Sequence, residues 1–286
     1  MDRDGSGRLL WFGLLGGGWM SVVAVAGDWH GNELFASARI GDVARHGVST
    51  LLHVGDFGVW PGRSGKRYLL RVEAACAEHG VRVLVTPGNH EDWGRLTQRW
   101  QTQGAVNDQA ELVPLELTEH IAILPRGHRW TMQGRSFVSL GGAPSVDKHL
   151  RSRGIDWWAE EQISDEDVER VAAGAHAEVM VAHDSPDAPY AVPKVAQIIA
   201  TNPIGWPEDS IAYAAAGRGR MTRAFEAVAP RLFVHGHYHV ADQTTVAVPG
   251  AEHDTRVWAL ASDQEGVGNL RYLDLATLTE PEWARR

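Results

Sequence analysis

The sequence predicts an α/β fold built on a buried parallel sheet. Two observations carry that expectation. Apolar runs rich in valine and leucine alternate with segments of helical spacing through the first half of the chain. Five such runs along the chain also stop at short segments ending in carboxylate, amide or imidazole side chains. Parallel strands of an open α/β sheet deliver their C-terminal ends to one edge, so these five segments are expected to converge.

Taken in order, Val22–Ala26 reads as a strand ending at Gly27-Asp28-Trp29-His30, and 32–46 has helical spacing. Residues 50–54 form a second strand ending at Gly55-Asp56. A helix over 65–79 follows, with Leu69, Val72, Ala75 and Cys76 on its apolar stripe. The strand 81–86 leads to Gly88-Asn89-His90-Glu91 and a helix over about 92–101. Continuous apolar strands joined by crossover helices imply a parallel sheet covered on both faces. The middle differs: 122–124, Arg129–Met132 and 136–140 are short, turn-bounded strands, expected as antiparallel additions. Residues 154–174 are acidic and largely helical. Ser164 there precedes Asp165, Glu166 and Asp167, a hydroxyl cap followed by first-turn carboxylates at the positive end of a helix dipole. Val179–Ala182 returns to a core strand and ends at His183-Asp184. Prolines 186, 189, 193, 203 and 207 punctuate 186–221, which is expected as an irregular lid or rim insertion. The strand 232–234 leads to Gly236-His237-Tyr238-His239, and 244–248, 256–260 and 271–275 are expected as a meander closing a second sheet.

Composition narrows the function classes. A chain of 286 residues with 44% hydrophobic content supports a full core. A net charge of −9 argues against non-specific nucleic-acid binding. The lone cysteine, Cys76, excludes an intrachain disulfide and suits a reducing, cytoplasmic setting. Residues 9–20 follow Arg8 and resemble the apolar region of a signal peptide, with Ala24-Val25-Ala26 like a cleavage site. Cleavage there would remove the strand that carries Asp28 and His30. Residues 1–19 are therefore expected to be a dispensable, poorly ordered leader, with Met20 as a possible natural start, before a single domain over 20–280. Gly16-Gly17-Gly18 interrupts the run, which argues against a membrane span.

The ligand chemistry follows from residue types. Asp28 and His30 are two apart at a strand end, which sets both on one side, and His237 and His239 repeat that spacing. Asp56 and Asn89 follow glycines that permit close backbone approach. With His183, these seven residues can hold two metal ions if one carboxylate bridges. The donors include no thiolate, so manganese or iron is expected, with zinc, cobalt and nickel as alternatives.

The ordered set D-x-H, G-D, G-N-H-E, H and G-H-x-H resembles the calcineurin-like metallophosphoesterases over about residues 22–275. That resemblance implies a four-layer α/β/β/α sandwich with two mixed central sheets. It implies a first metal held by Asp28, His30, Asp56 and His239. The second would be held by Asp56, Asn89, His183 and His237, with Asp56 bridging. His90 matches the family's catalytic histidine, which would protonate the leaving oxygen or stabilise charge on it. The implied activity is hydrolysis of a phosphate ester by a water that two metals activate. In the phosphoprotein phosphatases the G-D segment continues with an aspartate and a phosphate-binding arginine. Here it continues Phe57-Gly58-Val59-Trp60. Another carboxylate, Glu91 or Asp92, could orient His90 in place of that aspartate; first-turn helix charges are the competing reading of both.

The leading expectation is a phosphodiesterase acting on a small nucleotide or similar diester. A phosphomonoesterase or phosphoprotein phosphatase, a nuclease, and a non-catalytic metal-binding scaffold are the alternatives. No substrate-binding residue is assigned. Trp29, Trp60 and Trp93 lie near ligands and could stack a base, and Arg218, Arg220 and Arg223 could meet a phosphate; packing and a solvated helix face are the competing readings.

Overall fold

The computed structural model describes residues 21–103, 112–174, 176–265 and 267–285. The expected leader over 1–19 lies outside them.

Two six-stranded sheets stack face to face. The first contains β1 (Val22–Ala26), β2 (Thr50–His53), β3 (Arg82–Val85), β4 (Leu115–Glu116), β5 (Ile121–Ile123) and β12 (Leu270–Asp274), in the order β12-β1-β2-β3-β5-β4. The second contains β6 (Arg129–Met132), β7 (Arg135–Leu140), β8 (Val179–Ala182), β9 (Leu232–His235), β10 (Asp242–Ala247) and β11 (Asp254–Ala259), in the order β10-β11-β9-β8-β7-β6. Side-chain alternation divides the core into three layers. Val23, Val25, Leu52 and Val54 point inward and meet Val179, Val181, Leu232, Val234 and Trp258 of the second sheet. Ala24, Ala26 and Leu51 point outward, against Ile40 and Val43 of α1 (Glu33–Arg45) and Tyr68, Val72 and Cys76 of α2 (Gly62–His79). Met180, Ala182 and Phe233 face α4 (Asp165–Ala173), α5 (Pro193–Thr201) and α6 (Glu208–Val228) through Val168, Val171, Val195, Met221 and Phe225. The four-layer sandwich with mixed sheets is thus present.

Several local expectations are corrected. The middle strands are not all antiparallel additions: β5 runs parallel to β3 and β7 parallel to β8, while β4 and β6 are the antiparallel edges. The last three strands do not form one meander. β10 and β11 pair in the second sheet, whereas β12 crosses back and pairs antiparallel with β1. Hydropathy marks all three as strands but carries no signal for which sheet edge each one joins. The proline-rich stretch holds α5 and much of α6. Pro193 sits in the first turn of α5 and Pro207 caps α6, positions where the missing N–H costs nothing.

The Ser164 cap forms as expected and is reciprocal, Ser164 and Asp167 closing a capping box at the start of α4. Asp167 also accepts from Arg126 Nη1 at 3.2 Å and Arg170 Nη1 at 2.8 Å. Arg126 in turn donates to the carbonyls of Gly141, Glu160 and Glu161, each at 2.8 Å, and lies 4.0 Å over the ring of Trp93. Burial opposes charge on Asp167, yet Arg126 and the cap hydrogen bonds outweigh it and hold the carboxyl below its ordinary value of 3.8. A depressed folded-state pKa contributes stability that is present above that ordinary value and lost as pH falls through the folded one. Asp167→Asn is expected to lower unfolding free energy by about 2 kcal/mol at neutral pH, and the acid limb of its urea-midpoint profile should be flatter than the wild-type limb.

Candidate metal centre

The turns after β1, β2 and β3 of the first sheet, and after β8 and β9 of the second, meet at one edge of the sandwich. The strand ladders continue into these turns: Asp28 N donates to Gly55 O at 3.0 Å, His30 N to Asp56 O at 2.8 Å, and Gly236 N to His183 O at 3.2 Å. Asp28, Asp56, Asn89 and His183 form a buried floor, each at most 2% exposed. His30, His90, His237 and His239 are half-buried around the mouth.

The polypeptide adopts unusual geometry to do this. Asp28, His30, Asp56, His237 and His239 all have positive φ, between 44° and 69°, a left-handed conformation that L-residues disfavour. Close approach requires glycine beside them. A Cβ on Gly88 would lie 2.3 Å from Asp56 N and 2.8 Å from His183 Nε2.

Two overlapping donor groups result. Asp28, His30, Asp56 and His239 place one ligand atom each within 4.8 Å of one another, and so do Asp56, His183 and His237. Asp56 belongs to both. Asn89 Oδ1 joins the second group, 3.0 Å from His183 Nε2. All seven sequence-predicted ligand residues are therefore brought together.

Surrounding groups orient the donors. His183 Nδ1 lies 2.7 Å from the Val54 carbonyl, which can only accept, so Nδ1 carries a hydrogen and Nε2 is the nitrogen turned to the donor cluster. His30 Nδ1 is 3.0 Å from Asp263, whose other oxygen accepts from Asn32. The carboxylates are pinned by amides of other ligand turns. His237 N donates to Asp28 at 3.2 Å and His90 N to Asp56 at 2.9 Å. Asn89 Nδ2 donates to Ser145 Oγ at 2.9 Å, and Ser145 Oγ donates to Glu161 at 2.6 Å. This relay sets which end of the Asn89 amide faces the site. Burial raises the Glu161 carboxyl to about 7, against hydrogen bonds from Ser145, Trp157 and Tyr213.

Proton affinities report the competition among these charges. Burial opposes charge on His183, but Asp56 beside it raises the imidazole to about 10. Burial likewise opposes charge on His30, and Asp56 raises that ring to about 9. Asp56 is held well below the usual carboxylate range despite its burial, chiefly by His183. Burial lifts Asp28 to about 7 and pushes His239 down to about 4. Imidazole, carboxylate and amide donors crowded so closely fit two divalent cations, which favour the deprotonated forms.

The expected partner of His90 is corrected. Glu91 does not reach it. Its fully buried carboxylate accepts from the backbone N–H of Asp56 at 3.2 Å and Gly58 at 3.0 Å, and from that of Gly88, tying the turns after β2 and β3 together. Asp92 accepts from Arg95 N at 3.0 Å, at the start of α3 (Trp93–Gln103). The group against His90 is Arg151, from the irregular segment between β7 and α4. Trp29 and Trp93 are core residues, Trp29 donating to Asn269 and Trp93 to the Gly88 carbonyl. Arg218 pairs with Asp187, and Arg220 and Arg223 pair with Asp165. Asp263, Ser145, Glu161 and Arg151 escaped sequence reasoning, since each is a single polar residue in an aperiodic loop.

Clustered metal-coordinating residues on this fold define a metal-dependent hydrolase. The chain matches the calcineurin-like phosphoesterase family over residues 21–241 and belongs to it. A search among curated proteins finds no significant match. The fold is similar to that of TT1561 of Thermus thermophilus, with 10% identity, coverage of 92% of this chain and 97% of that one, and a TM-score of 0.53. It is similar also to a dimetal phosphatase from Danio rerio, with 14% identity, coverage of 90% and 93%, and a TM-score of 0.52. Among the described residues, no helix is long and apolar enough to cross a membrane.

Removing the Ser145 hydroxyl should free the Asn89 amide. Ser145→Ala is expected to weaken binding at one of two metals by about 10- to 100-fold and to leave the other unchanged, as read by metal titration.

Proposed function

We propose that the protein is a phosphodiesterase that hydrolyses a small nucleotide or similar diester and uses two metal ions, manganese or iron. The observation that carries this reading is the sharing of Asp56 by both donor groups, with His90 Nε2 at the mouth 3.9 Å from the same carboxylate. Asp28, His30, Asp56 and His239 would hold one ion, and Asp56, Asn89, His183 and His237 the other. Two bound cations would offset phosphoryl charge and make a water acidic enough to attack phosphorus near neutral pH. His90 donates a proton to the departing ester oxygen as the P–O bond breaks, or stabilises charge on it. The absence of sulfur from the donor set supports manganese or iron, with zinc, cobalt and nickel next. Trp60 supports the diester preference. It is half-buried with its ring against Gly31, the residue after His30, and offers an aromatic face for a second esterified group.

The competing reading is a phosphomonoesterase, favoured by the dimetal phosphatase among the similar folds. Bis-p-nitrophenyl phosphate should be turned over faster than p-nitrophenyl phosphate; turnover of the monoester alone would remove the diester reading. In metal analysis by mass spectrometry, Asp56→Ala should lose both ions. His90→Ala should retain both while kcat falls by about 100-fold or more, and equal metal loss in the two variants would contradict the assigned roles.

A further inference from the structure

The contact between Arg151 and His90 leaves one of the two groups unsatisfied. Arg151 Nη1 lies 3.0 Å from His90 Nδ1, and Nη2 lies 3.0 Å from His90 Nε2. Guanidinium nitrogens only donate, and a neutral imidazole offers one acceptor nitrogen. At least one of these two approaches therefore sets donor against donor. The rest of Arg151 is well held. Nε and Nη2 donate to the two oxygens of Asp147, each at 2.8 Å, and Nη1 donates to the Asp156 carbonyl at 3.2 Å. The side chain is only 13% exposed.

Asp147 thus fixes the outer edge of the guanidinium, and the Nη1–Nη2 edge points at His90. His90 Nε2 stands 3.9 Å from Asp56, the carboxylate common to both donor groups. A rigid, oriented fork with a poorly matched partner, set one imidazole away from the metal donors, suits a different acceptor. The segment carrying it is anchored on both sides. Glu161 accepts from Ser145 N and Oγ, from Trp157 Nε1 and from Tyr213 OH of α6. Lys148 lies 3.4 Å over the Tyr213 ring.

We infer that Arg151 grips the substrate, donating its Nη1 and Nη2 hydrogens to two phosphoryl oxygens beside the metal centre. Paired, charge-assisted donation to an oxyanion is what a guanidinium does and a lysine ammonium cannot do with the same geometry. The oxyanion takes over the hydrogens now directed at the ring and leaves His90 free to face the departing ester oxygen. Arg151 is on this account the specificity-determining cation of the site, and the assignment rests on the phosphoesterase reading.

The test measures binding of inorganic phosphate to the metal-loaded protein by calorimetry, alongside KM for the chromogenic ester and metal content. Arg151→Ala should weaken phosphate binding and raise KM by about 10- to 100-fold, with metal content unchanged. Arg151→Lys should recover only part of the loss. Should the alanine variant lose metal, the lysine variant decides, and its affinity must fall by roughly fivefold or more. Wild-type phosphate affinity in the deciding variant overturns the assignment, as would undetectable phosphate binding by the wild type. The two readings fail separately. Arg151-dependent phosphate binding without hydrolysis of any ester would sink the phosphoesterase reading alone. An active enzyme indifferent to Arg151 would sink the phosphate grip alone.

Discussion

The site depends on a backbone constraint. Five of the seven candidate ligand residues turn their strands into the left-handed region at the point where the ladder ends, at a cost of about 1 kcal/mol each. Such turns persist only where their surroundings over-determine them. Glu91 does much of this from beneath, holding three amides of two adjacent turns on one buried carboxylate. Asn269 does it from the other side, its Nδ2 on the carbonyls of Gly27 and Ala261 and its Oδ1 taking the Trp29 indole N–H. Asp263 N caps the Asp28 carbonyl at 2.9 Å while its carboxylate orients His30. The ligand geometry is therefore a property of a rigid frame of loops, and the apolar layers below supply the strands on which that frame is built.

Much of this was legible in the sequence, for identifiable reasons. Strand ends were readable because an apolar run gives way to glycine and a polar side chain. β1 and β8 fall where the pattern puts them, and the remaining core strands differ by a residue or two. The convergence of the candidate ligands was readable because D-x-H and H-x-H keep their spacing at strand ends whatever the intervening loops do. Pairing partners were not. β11 and β12 both read as strands, yet β12 pairs with the edge of β1 in the other sheet. The residues that orient donors were equally silent. Glu91 looked like a first-turn helix charge or a partner for His90, yet it serves backbone amides. Nothing distinguishes Arg151 from Arg153 until the loop is folded against His90.

The segment from Ser145 to Glu161 carries two kinds of control on one short loop. Ser145 sets the Asn89 amide from below, and Arg151 meets His90 from above. Arg126 holds the far end of the loop against α4 and Trp93. Displacement of the loop base would disturb both contacts. The exposed side chains of Leu150 and Ile155 flank Arg151 on this loop.

The distribution of donors between the two sheets has a thermal consequence. Asp28, His30, Asp56 and Asn89 come from one sheet, and His183, His237 and His239 from the other. Any ion bridging these sets would rivet the halves of the sandwich along their shared seam, so chelation would act on melting of the whole body rather than on a peripheral loop.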